Sequence, residues 1–167
     1  MLTAKGKYGL KAVAHLATLT PGTTAQAADI ARANAIPKKF LDAILADLRN
    51  AGIVASRKGP GGGYRLARPP TDIALGQVVR SLDGPLAPIA CASRSAYQPC
   101  LDCDDVKRCA VRLSMIRVRD AISGVLDATT VADMVRLGRG RGLDVARDKA
   151  AEPKASRRRR TTDDRAK

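Results

Sequence analysis

The segment from Ile53 to Ala67 limits what this chain can fold into more than any other. Two stretches of strand composition, Ile53-Val54-Ala55-Ser56 and Tyr64-Arg65-Leu66-Ala67, flank the loop Arg57-Lys58-Gly59-Pro60-Gly61-Gly62-Gly63. So glycine-rich a loop between two strands reads as a hairpin. The residues directly before it are helical. Pro37 falls at the first position of a helix, where a proline is best tolerated. Phe40, Leu41, Ile44, Leu45 and Leu48 form one face of that helix to about Asn50, and Gly52 supplies the left-handed residue that closes it. Upstream, Thr23 or Thr24 caps a short helix through Ala33 that buries Ala27, Ala28, Ile30 and Ala31, with a turn at Asn34-Ala35-Ile36. Two short helices, a tight turn and a hairpin predict a winged helix-turn-helix. A phosphate-cradling nucleotide loop would need Lys-Ser/Thr and then a helix after the glycines, whereas a Tyr and a strand follow here.

Other elements surround this unit. A first helix, roughly Thr3 to Leu19, has Tyr8, Ala12, Leu16 and Leu19 on one stripe and ends at Pro21-Gly22. After Pro69-Pro70, a short helix over Ile73 to Leu82 is capped by Thr71 or Asp72. No sustained period is visible from Asp83 to Asp105. A long helix then runs from Val106 or Cys109 to Asp127, with Val111, Met115, Val118, Ile122 and Val125 forming a seam suited to pairing with another helix. Thr130 with Asp133 resembles a capping arrangement for a last short helix to Leu137. The expected fold is mainly α with a small β-hairpin: a winged helix-turn-helix domain over 1–82, a cysteine-rich cluster loop over 83–108 and dimerisation helices over 109–138. A basic tail over 139–167, ending in Arg157-Arg158-Arg159-Arg160, is predicted to be disordered.

Charge separates these parts. Residues 1–82 hold 12 Lys/Arg against 4 Asp/Glu, residues 83–138 hold 7 against 7, and residues 139–167 hold 11 against 5. The basic first half predicts a polyanionic partner. With 3 Tyr, 1 Phe and no Trp the chain can hardly build the stacking platform of a single-strand or RNA reader, so double-stranded DNA fits better. Lys38, Lys39 and Arg49 lie outside the apolar stripe of the second helix. Arg57 and Lys58 stand at the wing tip, and Gly61 and Gly62 let backbone approach a phosphate. No apolar run reaches the ~18 residues of a membrane span, and the lysines among the first residues argue against a signal peptide. A cytoplasmic protein is expected.

All four cysteines fall within 19 residues as Cys91, Cys100, Cys103 and Cys109, in the pattern C-x8-C-x2-C-x5-C. Without an export signal disulfides are not expected, and an irregular loop bearing four thiols predicts a metal site. Iron–sulfur, zinc and plain thiols all remain open. The spacing favours iron–sulfur over zinc, because a zinc site usually joins two close pairs and only Cys100 and Cys103 make one. The sole histidine, His15, reads as a helix residue, and Glu152 is the sole glutamate. Neither a nucleophilic triad nor a hydrolytic metal motif can be built from this chain, so no enzyme is expected.

The segments Lys5-Gly6-Lys7-Tyr8-Gly9-Leu10-Lys11-Ala12, Gly59-Pro60-Gly61-Gly62-Gly63-Tyr64 and Ile73-Ala74-Leu75-Gly76-Gln77-Val78-Val79, followed by the cysteine loop, resemble the IscR/NsrR/RirA family of iron–sulfur winged-helix transcriptional regulators. The resemblance covers roughly residues 1–138. It implies a homodimer reading a palindromic operator in double-stranded DNA, RNA polymerase as a further partner, and a 2Fe–2S or 4Fe–4S cluster that senses iron, redox state or nitric oxide and switches the affinity of a repressor. It adds Lys5, Asp42 and Tyr64 to the DNA-binding candidates. Cys91 and Cys109 match the first and last family cysteines, and Cys100 or Cys103 the middle one. Where IscR-type proteins place a histidine ligand, this chain has Arg112, which cannot ligate. Where NsrR-type proteins draw a carboxylate from the first helix, it has Lys7 and Tyr8. Asp42 and Ala43 replace a Glu-Gln pair on the recognition helix, which implies a different operator. The alternatives are a winged-helix regulator with structural zinc, and a DNA-independent iron–sulfur module for electron transfer or cluster delivery.

Overall fold

Thr3 opens the first helix, α1 (Ala4–Ala17). Its hydroxyl accepts the Gly6 N–H at 3.3 Å, while its backbone N–H and hydroxyl donate to Asp83. The computed structural model describes residues 2–103 and 105–139, so the expected basic tail lies, from residue 140 onward, outside the described residues. Helix α1 buries Ala12, Val13 and Leu16. At Gly9 an added Cβ would run into Leu82, so the missing side chain lets α1 lie close to a later helix.

The helix-turn-helix forms as the sequence predicts, with informative shifts. Helix α2 spans Ala27–Asn34 behind Gln26, without the expected cap from Thr23 or Thr24. Those residues lead into a different bond set, because Ala25 donates to Tyr64 O at 3.0 Å and accepts from Tyr64 N at 2.8 Å. Ala35 adopts the left-handed conformation that ends α2. Helix α3 spans Lys38–Asn50, with Pro37 just outside it accepting from Phe40 and Leu41. Leu41, Ile44, Leu45 and Leu48 are buried as expected, but Phe40, at the margin of that face, is 42% exposed. Gly52, at φ 68°, follows α3 as the glycine pattern predicts.

The wing is an antiparallel pair, β1 (Val54–Arg57) and β2 (Gly63–Leu66), with Val54 opposite Leu66 and Arg57 opposite Gly63. Helix α4 (Leu75–Asp83) starts two residues later than the expected Ile73, with Ala74 rather than Thr71 or Asp72 before it. Ile73 and Ala74 instead run extended beside a distant segment: Leu75 N donates to Thr129 O and Val131 N donates to Ile73 O, both at 2.9 Å. That segment links the long helix α5 (Ala110–Ala128) to α6 (Val131–Gly138). The capping box of Thr130 and Asp133 is present as the spacing predicts. Val131, fully buried, joins a core with Val13, Ile30, Leu41, Ile44, Leu45, Leu48, Ile53, Ile73 and Val78. Each such side chain contributes about 1.5–3 kcal/mol. Helix α6 therefore docks into the same core as the winged unit. Helix α5, by contrast, has no fully buried residue.

Candidate nucleic-acid interface and cysteine centre

The wing is held against the segment that leads into α2 by three successive residues, Thr24, Ala25 and Gln26. Besides the Ala25–Tyr64 pair, Thr24 Oγ1 donates to Gly61 O at 2.9 Å and Gln26 Nε2 to Gly62 O at 2.6 Å. Gly63 makes this approach possible. Its φ is +145° and an added Cβ would lie 2.5 Å from Ala25 O. The result is an open cavity of about 330 Å³ between wing and helices, lined among others by Gln26, Arg49, Arg57, Lys58 and Tyr64. Three cations over glycine backbone suit an anionic backbone better than a neutral ligand. Sequence reasoning selected Arg49, Arg57, Lys58, Gly62 and Tyr64, which the structure brings together here, and Gly61 adjoins them. It missed Thr24 and Gln26, whose role depends on a contact across 36 to 37 residues.

Two of the other basic candidates have local partners. Lys5 reaches Asp47 across α1 and α3 at 2.7 Å, and Lys38 pairs with Asp42 one turn along at 2.8 Å. Lys39 is exposed beside them on the first turn of α3. Both ion pairs are substantially exposed and contribute little stability. Their effect is to take Lys38 and Asp42 partly out of play as free charges.

The cysteines lie where the irregular loop meets α5. Donor atoms of Cys100, Asp102 and Cys103 all lie within 4.8 Å of one another. Cys109 precedes the first turn of α5, and its sulfur accepts the Arg112 N–H at 3.5 Å. That N–H, followed by a hydrogen bond from the Cys103 thiol, holds the Cys109 pKa below its ordinary value. The same bond to Cys109 holds the Cys103 thiol up. The Asp102 carboxylate, as hydrogen-bond acceptor, pushes Cys100 up to about 12, while Asp102 itself is lowered by that bond. Sulfur and carboxylate donors thus crowd together sharing protons, an arrangement that a cationic centre would relieve. The donor set fits a thiolate-bound metal or cluster.

Cys91 sits apart, buried in a 3-10 turn (Ala90–Ala92) that packs on α5. It is not within the close donor group among the described residues. Arg112 Nε donates to Cys91 O at 2.8 Å, and Arg119 donates to Ala92 O and pairs with Asp120. Arg112, standing where the resemblance would put a histidine, is thus occupied as a fastener. At its far end α5 is tied to α4, Arg80 donating to both Asp127 oxygens at 2.6 and 2.7 Å. This bidentate bond raises the Arg80 pKa and lowers that of Asp127. Sequence patterns gave no sign of the Arg112, Arg119 or Arg80 contacts.

A helix-turn-helix with a basic wing defines the class, a DNA-binding transcriptional regulator. The comparisons agree. A family model described as Rrf2, iron-dependent transcriptional regulator, matches residues 2–137, and the chain belongs to the Rrf2 family. An rrf2-like protein of Rhodobacter capsulatus, described as an HTH-type transcriptional regulator, is 44% identical over 141 residues, covering 83% of this chain and 94% of that one. IscR of Photobacterium profundum is 33% identical over 135 residues, covering 81% and 75%. Among solved structures, CymR of Bacillus subtilis, titled a global cysteine regulator, superposes with a TM-score of 0.67 at 33% identity over 82% of this chain and 97% of that one. IscR of T. potens gives 0.67 at 28% identity over 89% and 96%. The relatives are regulators, not enzymes.

Proposed function

We propose that this regulator works as a homodimer on a palindromic operator, and that an iron–sulfur centre held by Cys100, Cys103 and Cys109, with Cys91, sets its DNA affinity. The observation that carries the reading is the crowding of thiol donors at the start of α5. The family description, an iron-dependent transcriptional regulator, supports it, as does the similarity to proteins named IscR. When bound, such a centre supplies a charge state that responds to oxidants and iron supply.

The chain's own residues divide the work. Residues 1–82 read DNA through α3 and the wing, residues 83–109 carry the donors, and α5 joins two copies while α6 packs into the winged core. Helix α5 exposes Val111, Val118, Ile122 and Val125 at 39–65%, along the seam that the sequence predicts. An apolar stripe this long on a helix without buried residues suits a second copy of itself. Arg112 and Arg119 fasten the cysteine-bearing turn to α5, and Asp127 fastens α5 to α4 through Arg80. A change of order in the loop would therefore bear on α5, and through Arg80 and Val131 on the head that carries α3. Two heads on a shared α5 pair would change their spacing, and spacing is what a two-half-site operator measures.

The test is iron and acid-labile sulfide content after oxygen-free purification, repeated on each single Cys→Ala variant. Iron and sulfide in near-equal amounts, lost in the Cys103→Ala and Cys109→Ala proteins, are expected. A colourless protein with stoichiometric zinc would overturn the iron–sulfur reading in favour of a structural metal.

A further inference from the structure

The first turn of α3 carries an aromatic side chain that its buried face does not use. Leu41, Ile44, Leu45 and Leu48 fill the core, yet Phe40, the sole phenylalanine of the chain, is 42% exposed. The Tyr8 ring of α1 meets it edge to face, with centroids 5.8 Å apart and planes at 86°. An edge-to-face partner fixes ring orientation, so little side-chain freedom remains to be lost on contact. None of the neighbouring exposed groups has an apolar surface of this size. Lys38 is paired with Asp42, and Ala43, exposed one turn on from Phe40, is small and apolar. Lys39 is a point charge suited to phosphate.

N-terminal residues of a recognition helix are those that reach base edges in the major groove. The one feature there that is unique to a base and apolar is the C5-methyl of thymine, and phenylalanine and alanine are side chains that meet it. We propose that Phe40 is a specificity-determining residue that packs on a thymine methyl in each operator half-site, with Ala43 leaving room for the approach. This rests on the assignment of α3 as the DNA-reading helix.

The test uses full-length protein and a duplex enriched by it from a random-sequence pool. Each thymidine is replaced in turn by deoxyuridine, at both symmetry-related positions, which removes the methyl and keeps the Watson–Crick edge. A methyl group transferred from water gives about a fourfold effect per half-site, and so roughly fifteenfold for two. At one position the wild type should lose about that factor, Phe40→Ala should bind both duplexes alike, and Phe40→Leu should keep part of the discrimination. Circular dichroism of both variants checks that the exposed substitution leaves the fold intact. A wild type indifferent to every methyl, or a Phe40→Ala protein that discriminates as the wild type does, would overturn the proposal. Failure to enrich any duplex would instead overturn the DNA-reading assignment of α3, and the proposal with it.

Discussion

Replacing Ile122 by Asp should separate the dimer while leaving each protomer folded. Val111, Val118, Ile122 and Val125 are 64%, 39%, 39% and 65% exposed. Fully burying a Val or Ile side chain yields about 1.5–3 kcal/mol, so closing a roughly half-exposed seam yields about 1 kcal/mol per residue. In Ile122→Asp the two-fold axis applies the change twice. About 1 kcal/mol of burial is lost per copy, and a carboxylate is forced against apolar surface at about 2 kcal/mol each. The sum, about 6 kcal/mol, weakens dimerisation by about 10⁴-fold. Ile122→Val, losing one methylene per copy, should cost only about fifteenfold. Sedimentation equilibrium at micromolar protein should show Ile122→Asp as monomer, with an unchanged far-ultraviolet spectrum because this position serves no core of its own chain. An Ile122→Asp protein that dimerises as tightly as the wild type would refute the seam as the interface.

Other outcomes follow from particular contacts. Gly63→Ala meets both a positive φ and the Ala25 carbonyl. It should destabilise the protein by about 1–3 kcal/mol in urea unfolding and weaken duplex binding by detaching the wing from α2. Asp127 and Asp133 have carboxyls held below their ordinary 3.8, chiefly by hydrogen bonds from Arg80 and from Thr130 respectively. A depressed folded pKa gives stability that is fully present above the ordinary carboxylate range and lost as pH falls through the folded value. The urea midpoint should hold from about pH 7 to 5 and fall below about pH 4, less steeply in Asp133→Asn. In metal-free protein, timed alkylation read by mass spectrometry should modify Cys109 first, Cys100 late because Asp102 keeps its thiol protonated, and buried Cys91 last.

Local chemistry made most of the fold legible. The Gly-Pro-Gly-Gly-Gly turn, the α3 stripe, Gly52 and the Thr130–Asp133 box are decided within a few residues, and each appears where the sequence places it. The misplacements share a cause. Gln26, not a threonine, precedes α2 because Ala25 is taken by Tyr64, and α4 starts late because Ile73 and Ala74 pair with Thr129–Val131. Phe40 fits the helical stripe by spacing, yet it lies at the margin, where Tyr8 rather than the core receives it. The candidate site divides the same way. The residue types and the spacing of Cys91, Cys100, Cys103 and Cys109 announce a donor cluster, and only Cys91, on the turn Ala90–Ala92, stands apart from the others. That Arg112 is spent on the Cys91 carbonyl, and that Asp102 stands among the thiols, depends on how an aperiodic loop returns to α5.

The most direct test is the affinity of the enriched duplex for one protein preparation in two states, metal-stripped and reconstituted with iron and sulfide without oxygen, at matched salt. A few kcal/mol of coupling between the cysteine loop and the spacing of the two α3 helices predicts a difference of tens- to hundreds-fold. Equal affinity in both states, with the cluster demonstrably bound, would contradict the claim that the loop sets the reading of DNA.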